Sequence, residues 1–253
     1  MKKAKTALIT GASKRVGKSI AIFLAKKGYN IAIHFNESRK ESLQLEKEIM
    51  AMGVQAKCFK FNLEKVNDIK NWFINVNRYF GVINLLINNA STFNYDSLKT
   101  STLKSFDSHM NVNLKAPFFL SKIFVESLKN KNGNIINIID QRVLNITPYF
   151  TTYTLSKCAL YTLTKSLALS LAPNIRVNAI GPGPTLKSKR QTEKEFKDQI
   201  LRTPLKKQVS LSEVNKSVNF LLENESITGQ LILLDSGQNL GWAHTKSKKF
   251  VED

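Results

Sequence analysis

Tyr153 and Lys157 stand four residues apart in a strongly helical segment, so their side chains share one face about one turn apart. A tyrosine titrates near ~10, and exchanging a proton near neutrality requires a shift of roughly 3 units, about 4 kcal/mol in favour of the phenolate. A neighbouring ammonium supplies much of that, which makes the pair a candidate proton relay. The spacing alone also describes any structural pair on a helix. Position adds weight, because the preceding strand pattern, Asn134–Ile139, ends at Asp140, and open α/β sheets gather their reactive groups outside the C-terminal strand ends. Asn88-Asn89-Ala90-Ser91 closes a second strand on that rim, and Asn113 falls inside the following helix, where a buried amide needs partners.

A third strand runs straight into Thr10-Gly11-Ala12-Ser13-Lys14-Arg15-Val16-Gly17 before a helix begins. Such a turn presents unpaired backbone N–H groups at the positive end of a helix dipole, a seat for a pyrophosphate. Arg15 stands where the commoner version of the turn carries a third glycine. The next strand ends His34-Phe35-Asn36-Glu37-Ser38-Arg39, with no acid at the first positions to accept from a ribose 2′-hydroxyl. Arg15 and Arg39, with Asn36 and Ser38 as donors, suit a 2′-phosphate instead. NADPH is therefore the expected cofactor; Glu37 weighs mildly against it and reads equally well as a solvated charge opening the next helix.

The elements that must position these groups alternate in βα order. Strand patterns cover Thr6–Thr10, Asn30–Phe35, Ala56–Phe61, Asn84–Asn88, Asn134–Ile139, Arg176–Ile180 and Gln230–Leu234. Helical patterns cover Val16–Lys27, Arg39–Met52, Val66–Tyr79, Phe106–Leu128, Tyr153–Ala172 and Ser212–Glu223. This predicts an α/β chain, a single Rossmann-type doubly wound parallel sheet of about seven strands with helices on both faces. No composition break divides residues 1–253, so a single dinucleotide-binding domain is expected. The Pro-containing stretch 181–208 is the least regular and reads as a substrate loop or lid. Residues 243–253 form a polar tail after Trp242, which is expected to pack against something.

The chain has 38 Lys+Arg against 19 Asp+Glu, a net charge of +19. Only seven of the basic residues are Arg, and the lysines are scattered among many Asn and Ile. That bias makes a generally basic surface and calls for no nucleic-acid partner. Cys58 and Cys158 lie in core-like segments without metal-type spacing, so reduced thiols and no metal site are expected. The N-terminal apolar run is too short for a signal segment and no stretch approaches a membrane span. A cytoplasmic protein without membrane contact is expected.

In order, T-G-x-x-x-R-x-G, N-N-A-S, V-N-L, Y-x-x-x-K and Arg176-Val177-Asn178-Ala179-Ile180-Gly181-Pro182-Gly183 resemble the short-chain dehydrogenase/reductase family over nearly the whole chain. The resemblance implies that Tyr153 relays the proton, Lys157 holds the nicotinamide ribose and lowers the tyrosine pKa, and Asn113 anchors a water. It assigns the cofactor to Gly11, Ser13, Lys14, Arg15, Val16, Gly17, His34, Asn36, Ser38, Arg39, Asn62, Leu63, Asn89, Ala90, Ser91, Lys157, Pro182, Gly183 and Thr185. Asp140 replaces the usual serine and Asn62 the usual aspartate at the adenine. Asp140, with Arg15 and Phe93, is similar to the pteridine reductase branch, including dihydromonapterin and short-chain dihydrofolate reductases. There, Phe93 would stack on a pterin, Arg15 would touch pterin and cofactor phosphate, and Asp140 would join Tyr153 and Lys157 in proton delivery. The rival within the family is a 3-oxoacyl carrier-protein or other carbonyl reductase. A non-enzymatic basic dinucleotide- or RNA-binding protein is the alternative outside it. The family also implies a small-molecule substrate and a homo-oligomer, usually a tetramer.

Overall fold

In the computed structural model, which describes residues 4–241, every strand pairs in parallel with its neighbours. The strands are β1 (Thr6–Ile9), β2 (Asn30–Phe35), β3 (Ala56–Lys60), β4 (Leu85–Asn88), β5 (Gly133–Ile138), β6 (Ile175–Pro182) and β7 (Leu231–Leu234). They form one sheet in the order β3-β2-β1-β4-β5-β6-β7. Trp242 and the tail lie outside the described residues.

The central strands β1 and β4 are buried along their whole length because both faces are covered. Successive residues still alternate: Ala7 and Ile9 join the core under helices α1 (Arg15–Lys26), α2 (Arg39–Met50) and α8 (Leu211–Glu223). Leu8 points the other way, into the core under α3 (Ile69–Phe80), α5 (Ala116–Leu128) and α6 (Thr151–Leu171). Between β1 and β4 the chain reverses its direction of travel across the sheet. The crevice outside their C-terminal ends is where ligands of such sheets bind.

Two expectations change. The helix expected over Phe106–Leu128 is broken: α4 (Leu103–Met110) gives way to a π-helical segment, Asn111–Lys115, before α5. The extra residue per turn is what aims Asn113, fully buried, toward the crevice, and π insertions recur at functional positions. The stretch 181–208 is not wholly irregular. It carries α7 (Glu193–Leu201), started by a capping box in which Thr192 accepts from the Glu195 backbone and Glu195 bonds back, a recognised helix start.

The two cysteines are free and half-buried. Among the described residues no helix is long and apolar enough to cross a membrane, and no cluster of metal-ligating side chains occurs.

Candidate active site

The β1–α1 turn is tied to the end of β4 before anything binds there. Thr10 Oγ1 accepts from the Asn89 and Ala90 N–H groups at 2.9 and 3.0 Å, and Asn89 Nδ2 donates to the carbonyls of Thr10 and Gly11 at 2.8 and 3.1 Å. Gly11 has φ +62°, and a Cβ on Gly17 would lie 2.3 Å from the Gly11 carbonyl oxygen. Both glycines are therefore required by geometry. No side chain caps the N-terminus of α1, and no acid stands in its first turn. Its positive end is left open toward the crevice, which fits an anion.

Arg15 adopts φ +55°, a backbone region that costs a non-glycine residue about 1–2 kcal/mol. That explains the glycine of the commoner motif. Its guanidinium donates to the carbonyls of Leu186 and Lys187, both at 2.9 Å. It engages the loop after β6 and not the end of β2, where Arg39 and Asn36 are exposed and Ser38 is half-buried. Lys14 pairs with Glu41 at 2.8 Å, Ser13 Oγ meets Ser42 Oγ at 2.7 Å, and Val16 is half-buried.

His34 corrects its expected role. Its Nδ1 accepts from the Gly11 N–H at 2.9 Å and its Nε2 lies 3.0 Å from the Phe61 carbonyl. With both ring nitrogens used and 2% exposure, the imidazole is a strut of the turn and is closed to a ligand. Burial pushes its pKa from 6.5 down to about 4, with the Phe61 carbonyl working the other way. The unfolded chain then takes up the proton first, so stability should fall by about 3 kcal/mol as pH drops from about 6.5 to about 4. Denaturation midpoints at both pH values, for the wild type and His34→Gln, check this; an unchanged acid sensitivity in the variant refutes it.

The remaining cofactor positions of the sequence line the same rim. Asn62 is half-buried and accepts from the Glu64 N–H at 3.0 Å, while Leu63 is buried under α3. Ser91 is exposed. Pro182 ends β6; a Cβ on Gly183 would lie 2.7 Å from Asp235 Cα, and Thr185 Oγ1 donates to the Gly183 carbonyl at 3.1 Å.

Asp140, Tyr153 and Lys157 meet as a group. The Tyr153 hydroxyl donates to Asp140 Oδ2 at 2.8 Å. Lys157 Nζ donates to the Ile138 carbonyl at 2.9 Å and stands 5.8 Å from the Tyr153 ring centre. The expected depression of the tyrosine pKa is overturned. Burial first, and then the Asp140 charge, raise it well above its ordinary value. Lys157, in turn, is pushed down to about 8 by burial, Asp140 opposing. The phenol thus holds its proton through neutrality and is a donor in waiting.

Asn113 is saturated: Nδ2 donates to the Thr92 carbonyl and Ser156 Oγ, both at 3.0 Å. Its Oδ1 accepts from the Thr92 N–H at 2.8 Å and Ser91 Oγ at 3.2 Å. Four bonds exhaust an amide, so this side chain clamps the 91–92 loop to α6 and has no capacity left for the water assigned to it by resemblance.

Phe93 stands at the reactive group. Its ring meets Tyr153 edge-on at 4.6 Å between centres and stacks on Phe150 at 4.6 Å. Three further residues stand there that the sequence analysis did not single out. Arg142, 6% exposed, lies 3.6 Å from Asp140 Oδ2, and its guanidinium is 5.6 Å from the Phe93 ring centre. Arg190 comes from the loop after β6, donates to the Phe93 carbonyl at 3.3 Å and lies 5.1 Å from that ring. Phe150, at φ +57°, starts α6. Only the Asp-x-Arg after a strand end hints at Arg142.

Residues 5–198 match the family described as short chain dehydrogenase. The chain belongs to this family. The 3-oxoacyl-[acyl-carrier-protein] reductase FabG of Staphylococcus epidermidis is 32% identical over 92% of this chain and 98% of its own length. Among solved structures, FolM alternative dihydrofolate reductase 1 from Brucella suis, in complex with NADP, is 40% identical with a TM-score of 0.91, covering 95% of this chain and 97% of that one. A short chain dehydrogenase from Burkholderia cenocepacia, also with NADP, is 29% identical with a TM-score of 0.88, covering 93% and 98%. This short chain dehydrogenase is thus an oxidoreductase, in which Tyr153 and Lys157 stand beside Asp140.

Proposed function

We propose that this short chain dehydrogenase is an NADPH-dependent reductase acting on the C=N bond of a dihydropterin-type substrate. The observation that carries the reading is Asp140 bonded to the Tyr153 hydroxyl with the Phe93 ring set edge-on against that tyrosine. Similarity to a dihydrofolate reductase of the same fold supports it.

The residues fit the dinucleotide: the uncapped start of α1 would hold the pyrophosphate, and Arg39 with Asn36 and Ser38 would hold the 2′-phosphate. Lys157 would hold the nicotinamide ribose. When bound, the reduced nicotinamide supplies the hydride. A C=N bond that gains hydride at carbon needs a proton at nitrogen, and Tyr153, still protonated at neutrality, holds one at the right place. Asp140 orients that hydroxyl. Lys157, near its own titration at about 8, can restore the proton from the protein side. Phe93 gives a flat heterocycle an aromatic face, worth on the order of 0.5–1.5 kcal/mol beyond buried area, and the loop bonded to Arg15 and carrying Arg190 roofs it.

Methotrexate, a non-reducible pterin-like ligand, tests the reading without turnover. Titrated into protein saturated with NADPH, it should bind with micromolar or tighter Kd, weakened about ten-fold in Phe93→Ala. No binding, or binding indifferent to Phe93, argues for the acyl substrate of the FabG relatives.

A further inference from the structure

His109, Thr152 and Asp96 are buried, at 0, 3 and 2% exposure, and proton transfer at Tyr153 uses none of them. They form a chain whose bond directions are fixed. The Asn94 N–H donates to His109 Nε2 at 3.1 Å, so the imidazole carries its proton on Nδ1. Nδ1 therefore donates to Thr152 Oγ1 at 2.6 Å. The Thr152 hydroxyl, its lone pair engaged, donates to Asp96 Oδ2. Asp96 Oδ1 accepts from the Thr152 N–H at 3.2 Å and the Asp96 carbonyl from the Phe150 N–H at 2.6 Å.

The chain joins neighbours of three residues of the reaction pocket, Phe93, Phe150 and Tyr153. Asn94 follows Phe93, Phe150 stacks on Phe93, and Thr152 precedes Tyr153. The His109 ring also meets Tyr153 edge-on at 6.0 Å. We infer that His109 is a positioning residue, whose neutral imidazole, through Thr152 and Asp96, sets the Tyr153 hydroxyl and the Phe93 ring in the relation the reduction needs. The tyrosine arm rests on family chemistry and the phenylalanine arm on the pterin reading. Protonated, His109 would set an N–H against the Asn94 N–H, and the link would open. Burial opposes that proton, and Arg190 on the loop after β6 opposes it too, while Asp96 favours it.

His109→Phe keeps the ring and deletes both bonds, whereas His109→Gln restores one donor and one acceptor. The expected result for His109→Phe is a kcat about ten-fold lower and a pterin KM several-fold higher, with NADPH Kd within about two-fold of wild type. His109→Gln should recover kcat to within about three-fold. Thr152→Val, which cuts the chain at its centre with little change of shape, should lower kcat in the same way and covers the case in which His109→Phe does not fold. A His109→Phe enzyme that melts earlier yet keeps its kcat, or a Gln variant no better than Phe, overturns the inference. If the wild type reduces an acetoacetyl thioester and no pterin, the pterin reading falls alone, and the kcat comparison on that thioester still decides the role of His109.

Discussion

Tyr153→Phe is expected to lower kcat about a thousand-fold, with NADPH Kd within about two-fold of wild type, because only the proton donor is lost. The ring's contacts with Phe93 and His109 survive the change, so the pocket keeps its shape. The phenol's raised pKa, caused by burial and the Asp140 charge, means that the wild type holds the transferable proton across the neutral range, and the first turnover should not slow as pH rises through 8. Single-turnover rates and a cofactor titration on both proteins check this. A variant keeping a tenth of kcat contradicts it.

Asp140→Ala should be damaging in two ways at once. The carboxylate orients the Tyr153 hydroxyl, accepts from the Arg142 N–H at 2.9 Å, and lies 3.6 Å from the Arg142 guanidinium. Removing it takes the carboxylate away from a buried cation, which costs about 3 kcal/mol or more, and leaves the phenol unaimed, which should lower kcat about a hundred-fold. Asp140→Asn keeps an acceptor of the same size and should regain most of the stability while turnover stays low. Denaturant midpoints and kcat on the two variants separate the effects; an Ala variant of wild-type stability contradicts the placement of Arg142.

What was legible followed from period and spacing. Buried strands show as short apolar segments, so the fold could be placed from the chain alone, and the turn at Gly11 and the Tyr153/Lys157 pair are local enough in sequence to be proposed as a site from it. What was not legible depends on contacts far apart in sequence. The sequence ties the tyrosine pKa to one neighbour, Lys157, whereas in the fold burial and Asp140 raise it, with Arg142 and Ser91 working the other way. His34 looked like a ligand at a strand end, but the Phe61 carbonyl and the Gly11 N–H take both its nitrogens. Arg15 turns to a loop more than 170 residues away. The π segment at Asn111–Lys115 has no compositional mark, since Asn-Val-Asn-Leu-Lys fits an ordinary helix equally well.

The central claim is that Asp140, Tyr153 and Phe93 make a pterin site in a fold whose relatives also include acyl reductases. The most direct measurement is kcat/KM, followed by loss of NADPH absorbance, for a dihydropterin and for an acetoacetyl thioester on the same preparation. A preference of about a hundred-fold or more for the dihydropterin is expected, and equal or reversed values would overturn the pterin site.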